Sequence, residues 1–230
     1  MRLSLFVIAI VFTMATASAS AADNQLTPEE RAKGWILLFD GSTNWKTSRL
    51  EPSQTPIENA SLNPHKCGAY MLVHEGQWSD FILKIDFKIS KGCNSGIFFR
   101  TYPLTPGNDD GVGLRGLEMA VDDTTTAGYH DTGAIYDLAK PVQNAMKPAG
   151  KWNRAEITCD DNIVIVVLNG QTVSWMDLDD FPEAHRRPDG TRHKFNRSWK
   201  DHPRKGYIGL QDHGRPCWYK NIKVLPLKRG

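Results

Sequence analysis

Phe81-Ile82-Leu83-Lys84-Ile85-Asp86-Phe87-Lys88-Ile89 is the stretch that decides the fold class. Phe81, Leu83, Ile85, Phe87 and Ile89 alternate with Ile82, Lys84, Asp86 and Lys88, a period of two that marks a strand over 79–90 with one face in a core. After the tight link at Lys91-Gly92, residues 93–100 read as the next strand. There Ile97 and Phe99 share one face, while Asn94, Gly96, Phe98 and Arg100 share the other. Residues 101–116 carry four glycines and two prolines and are expected to form a loop able to lie over a binding face. A further strand over 117–122 sends Leu117, Met119 and Val121 inward and Glu118, Ala120 and Asp122 outward.

The same grammar extends both ways. Thr27-Pro28-Glu29-Glu30 is a capping box with proline at the first helical position, which predicts a short helix over 28–33 stopped by Gly34. Strands are expected at 35–39, and at 69–75 with a turn at Gly76. They are expected again at 133–138, 152–159, 162–168, 171–175, 207–211 and 218–225, with Asn169-Gly170 closing a hairpin. Residues 46–66 and 140–151 are polar, proline-bearing loops. Residues 183–205 hold eight Lys and Arg, read as a solvated loop that could greet an anionic glycan if it lay near the site. Many strands, short connections and no internal repeat predict an all-β protein, an antiparallel β-sandwich with one short N-terminal helix.

Composition narrows the classes. The 230 residues carry a formal charge of +2, which gives no electrostatic case for nucleic acid. Met1-Arg2-Leu3, the apolar run Leu5 to Met14 and the small residues through Ala22 read as a secretory signal peptide over 1–22, ahead of one domain over 23–230. That apolar run is too short to span a membrane, so an exported protein, periplasmic or extracellular, is expected. Cys67, Cys93, Cys159 and Cys217 permit two disulfides in three pairings, without the spacing of a zinc site. The sequence leaves the oligomeric state open.

Small Gly96 and Ala120 beside Arg100 and Glu118 suit a floor over which a ligand lies. The chain also carries Leu38-Phe39-Asp40-Gly41 with Trp45, Asn94-Ser95-Gly96-Ile97-Phe98-Phe99-Arg100, Glu118 with Asp123, and Thr132-Gly133-Ala134-Ile135-Tyr136. Trp152-Asn153, Leu168-Asn169-Gly170, Gly206 to Gly214 and Lys220-Asn221-Ile222 follow in order. Together these resemble the 3-keto-disaccharide hydrolase family, the domain of unknown function 1080, over about 35 to 225. The resemblance implies a concanavalin A-like jelly roll and cleavage of glycosides oxidised at C3. Ala120 stands where that family usually has Gln, and Lys220 where it usually has Arg.

A ketone at C3 acidifies the C2 proton, so the aglycone can leave by β-elimination before water adds. Such a site needs a base at C2, a cation or donor for the enolate oxygen, and an acid for the leaving oxygen. Glu118 or Asp123 is the expected base, Arg100 the enolate partner, and His213 the proton donor or a metal ligand. Asn94, Gln211, Tyr136 and His130 are expected to contact the carbohydrate, and a divalent metal held by His130, Asp131, Asp123, Glu118 and His213 is left open. Structural readings stand beside these: an Arg100–Glu118 cross-strand ion pair, turn roles for Asp123 and His213, and core positions for Tyr136 and Trp152. Two other functions also stand: a non-catalytic glycan-binding module, and a two-carboxylate glycosidase pairing Glu118 with Asp122, about 6–7 Å apart along the strand.

Overall fold

The computed structural model describes residues 22–227. The leader expected over 1–22 lies outside the described residues, apart from Ala22. Helix α1 (Pro28–Ala32) opens with the predicted box: Thr27 Oγ1 accepts from Glu30 N at 3.1 Å and Glu30 Oε2 accepts from Thr27 N at 3.0 Å. Eleven strands follow among the described residues: β1 (Ile36–Leu37), β2 (Lys46–Thr47), β3 (Met71–Trp78), β4 (Phe81–Ile89), β5 (Asn94–Thr101) and β6 (Leu117–Asp122). Then come β7 (Asn153–Asp160), β8 (Ile163–Leu168), β9 (Gln171–Asp177), β10 (Gly206–Gln211) and β11 (Cys217–Pro226).

These strands pair antiparallel throughout, in two sheets ordered β1-β11-β4-β7-β8-β9 and β2-β3-β10-β5-β6. Phe81, Leu83, Ile85, Phe87 and Ile89 of β4 all point into the core between the sheets, where they meet Ile97, Phe99, Leu117, Met119 and Val121. The alternation read from the sequence is therefore the packing pattern of the sandwich. The four cysteines are buried, as free thiols. Among the described residues no helix is long and apolar enough to cross a membrane.

Three expectations need correction. The 35–39 strand keeps only Ile36 and Leu37, which pair with β11. Gly76 makes no turn, because β3 runs through it. A Cβ there would come within 3.0 Å of the His74 and Trp78 rings, so the glycine serves a close approach inside the strand.

The third concerns Arg100. Thr101 pairs with Tyr207 and Phe98 with Gly209, so Phe99 and Arg100 together face one residue, Ile208. This is a β-bulge, and Arg100 takes φ +51° to make it. The extra residue breaks the period of two, and the guanidinium turns away from the outer face to become fully buried.

Candidate active site

The outer face of the five-stranded sheet collects the side chains that the core rejects. Gly96 pairs with Ala120, and Phe98 with Glu118. Residues 133–138, expected as a strand, form only isolated bridges at Ile135, and 133–136 run alongside β6 as a short extension. Ala120 N donates to Ala134 O at 2.9 Å, Gly133 N to Ala120 O at 3.0 Å, and Tyr136 N to Glu118 O at 2.8 Å. Leu210 pairs with Ile97, which brings Gln211 beside Gly96. Gln211, Gly96, Ala120 and Ala134 thus cross the sheet as one row of mostly small residues, with Phe98, Glu118 and Tyr136 in the next.

Glu118 dominates this floor. Its carboxylate lies over Gly96: a Cβ at Gly96 would stand 2.3 Å from Glu118 Oε1. The residue is 7% exposed, and no hydrogen bond to its carboxylate is made among the described residues. Burial pushes its pKa up to about 8, opposed only by the ammonium of Lys194. Beside it Gln211 Nε2 donates to Tyr70 Oη at 2.6 Å, while the buried Gln211 Oε1 has no partner. Burial pushes the Tyr70 phenol up to about 12, with the Glu118 charge adding to the effect, so Tyr70 stays a proton donor.

Loops wall the floor on two sides. Val112 joins Met71, Val73 and Phe98 in a second apolar cluster, with Leu50, Tyr70 and Leu104 packed against it, so part of the 101–116 loop covers the outer face. Opposite, His130 stacks on Tyr136 at 4.6 Å between centroids, and Lys194 Nζ sits 4.0 Å from the centre of the same ring. Asp137 ties this wall together. Its carboxylate receives Lys194 N at 2.7 Å, binds the Arg187 guanidinium and lies 3.5 Å from His130 Nε2. Partial desolvation pulls the Lys194 pKa down, while Glu118 and Asp137 oppose that.

Glu118, Gln211, Tyr136 and Asn94 therefore share one face, with Asn94 opposite Asp122 at the end of the β5–β6 pair. His130 stands behind Tyr136. His213 is exposed in the turn after β10 and acts electrostatically on Asp122, a carboxyl that burial pushes upward. Asp123 lies past the end of β6, where Oδ2 accepts from Gly92 N at 2.6 Å and its own N donates to Cys93 O at 2.9 Å. That is a turn brace.

Arg100 is corrected outright. Nε and Nη2 donate to Ser79 O at 3.0 and 2.9 Å, Nη1 to Asp161 O at 2.7 Å, and Nη2 to Asp80 Oδ1 at 3.1 Å. It pairs with Asp80 rather than Glu118, and it cannot reach a ligand on the floor. Tyr70 and Lys194 are the residues the sequence reading missed. Lys194 was hidden in a basic run with seven other cations, and Tyr70 sits at a strand entrance with no alternation around it.

The metal expectation finds no support in the donor set. Among the described residues, no three His, Cys, Asp or Glu side chains gather as an ion site. Asp131 is spent on Thr126 Oγ1 at 2.5 Å, and His130 and Asp123 on the contacts above. The two-carboxylate pairing also fails on distance. Glu118 and Asp122 are four residues apart on continuous β6, which puts their Cα atoms roughly 13 Å apart at the rise of a strand, not 6–7 Å. A groove of about 460 Å³ lies elsewhere, against β8 and β9, lined by Tyr129, Ile163, Trp175, Phe181 and Arg187 among others, and Glu118 does not line it.

Residues 34–225 match the family described as the 3-keto-alpha-glucoside-1,2-lyase-like domain. A 3-keto-disaccharide hydrolase of Bacteroides thetaiotaomicron is 27% identical over 85% of this chain and 79% of its own. A candidate glycosyl hydrolase of Parabacteroides distasonis, known from its crystal structure, is 28% identical with TM-score 0.62, over 69% of this chain and 83% of that one. A second from the same organism superposes over 90% of this chain and all of its own, with TM-score 0.71 at 23% identity, and shares the fold.

Proposed function

Because the chain belongs to the 3-keto-alpha-glucoside-1,2-lyase-like family, we propose that it cleaves 3-keto glycosides by base-initiated β-elimination on the outer face of the five-stranded sheet. The observation that carries this is one buried, unpartnered carboxyl, Glu118, set over a floor of glycine and alanine.

In this reading Glu118 takes the C2 proton. A base with pKa near 8 is matched to a carbon acid at neutral to mildly alkaline pH, where an ordinary carboxylate would be too weak. Lys194 supplies positive charge for the enolate forming at O3, the part the sequence assigned to Arg100. Tyr70, whose oxygen already accepts from Gln211, keeps its own proton to give to the leaving oxygen at C1. Gln211 Oε1 accepts from a sugar hydroxyl. The C1–O bond breaks as C1=C2 forms, and water adds to C1 to give the free 3-keto sugar. No step calls for a metal from this donor set.

Export belongs to the same proposal, with residues 1–22 as the leader. A glycan-binding module is the second reading, favoured by Ala120, which presents only a methyl group to the floor.

The test compares turnover of p-nitrophenyl 3-keto-glucoside and p-nitrophenyl glucoside. Release from the oxidised substrate alone, falling at least 100-fold in Glu118→Gln at a melting temperature no lower than the wild type's, is expected. Normal turnover by Glu118→Gln removes Glu118 from the chemistry. Binding of the keto sugar without release favours the module.

A further inference from the structure

Ser95 of β5 and Tyr219 of β11 lie on opposite sheets, yet Ser95 Oγ and Tyr219 Oη are 2.8 Å apart, a rung across the core. Two residues earlier in each chain direction stand Cys93 and Cys217. Alternation puts Cys93 on the inner side with Ser95, and Cys217 on the inner side with Tyr219. The backbone holds the two ends together: Ser90 N donates to Pro216 O at 3.1 Å, Cys93 N to Ser90 O at 3.1 Å, and Cys217 pairs with Ile89. Cys93 Sγ also lies 3.8 Å from Arg215 O.

We infer that Cys93 and Cys217 are a disulfide site, joining the two sheets one rung away from the Ser95–Tyr219 contact.

The neighbouring Cys217 thiol pulls the Cys93 pKa down, while burial, with Cys93 beside it, pushes that of Cys217 well up. The other two cysteines have different neighbours. Cys67 Sγ donates to Ala69 O at 3.3 Å near Asp212, whereas Cys159 sits on β7 at the other end of the sandwich, beside Arg100 and Asp80. Both Cys93 and Cys217 are fully buried, so the bond forms while the chain is still folding. A thiolate of one cysteine attacks an external disulfide such as oxidised glutathione and releases one glutathione thiol. The second cysteine's thiolate then attacks the mixed disulfide and releases the other. Two protein thiols lose two electrons and two protons, and the oxidant becomes two thiols. Once buried, the bond is shielded from reductant.

The link also bears on the floor. It fastens the 212–216 turn, which carries His213, to the residue just before Asn94. The ring it closes spans the same 124-residue separation as Ser95 and Tyr219.

The experiment refolds the full chain in a glutathione redox buffer, quenches with acid, unfolds it without reductant and alkylates with iodoacetamide. Two alkylated cysteines, Cys67 and Cys159, with a proteolytic fragment joining Cys93 to Cys217, are expected. Four alkylations, or a fragment joining Cys67 or Cys159 to another cysteine, overturn the assignment. A paired measurement guards against misfolding in the redox buffer. Reductant present during unfolding should lower the wild-type melting temperature by roughly 10 °C, as a link closing so long a loop implies, and leave the Cys93→Ser/Cys217→Ser double variant unmoved. Equal shifts in both proteins, or none in the wild type, overturn it as well.

Discussion

Replacing Arg100 with Met separates two accounts of a residue that the sequence placed among the catalysts. Four hydrogen bonds leave the guanidinium, three to main-chain carbonyls at Ser79 and Asp161 and one to Asp80 Oδ1. Methionine matches the stem but donates nothing, so the half-buried Ser79 carbonyl and Asp80 carboxylate lose a donor that sits fully buried, while the exposed Asp161 carbonyl can turn to water. His202, buried and held neutral with its pKa pushed down to about 4, bonds Arg100 O at 2.9 Å and cannot replace them. Removing one member of a buried ion pair costs about 3–5 kcal/mol. For a chain of this size that is a fall in melting temperature on the order of 10 °C. Differential scanning calorimetry on wild type, Arg100→Met and Arg100→Lys measures it, with activity assayed at 10 °C, where the variant is still folded. The expected result is a large loss of stability, partial recovery with Lys, and kcat within a few-fold of wild type. An Arg100→Met protein that melts within 2 °C of wild type but has lost turnover would refute the reasoning and return Arg100 to the chemistry.

The remaining predictions concern the floor. With its folded pKa near 8 against an ordinary 4.5, Glu118 holds its proton in the native state after the unfolded chain has released its own. Wild-type stability should therefore decline between pH 4.5 and 8 by about 1.4 kcal/mol per unit at most, and Glu118→Gln should lack that share of the decline, read from urea midpoints across the range. The base form is the ionised one, so kcat/KM should rise through pH 8; a flat profile between 6 and 9 contradicts the role. Lys194→Met removes the ammonium that holds Glu118 down, so the rising limb should move to higher pH as kcat/KM drops by roughly 10–100-fold. Asp123→Asn should keep near-normal activity and cost about 1 kcal/mol through its brace to Gly92 N, checked by thermal melts and turnover.

How much of this could be read from the chain depends on phase. β4 and β6 keep strict alternation from end to end, so their inward and outward residues follow from spacing alone. β5 keeps phase only as far as Phe99. One additional residue reverses Arg100, and no local signal in Phe98-Phe99-Arg100-Thr101 announces it, because the bulge is set by pairing with β10 more than a hundred residues away. Lys194 was illegible for a related reason. Its place beside Tyr136 depends on Asp137 catching Lys194 N and Arg187 across the fold, a contact between two irregular segments with no period to read. Gly96 and Ala120 were legible as anomalies, since small residues in a half-buried strand need a neighbour that fills the space. Glu118 fills it.

The bulge at Arg100 also governs where this molecule has freedom to move. One end of β5 is riveted through four donors to the 79–80 and 161 corners, and the other is tethered through the Cys93 amide and carbonyl. A plank fixed at both ends barely bows, so the surface carrying Glu118's neighbours is stiff before any sugar arrives, and adaptation to different aglycones falls to the flanking loops.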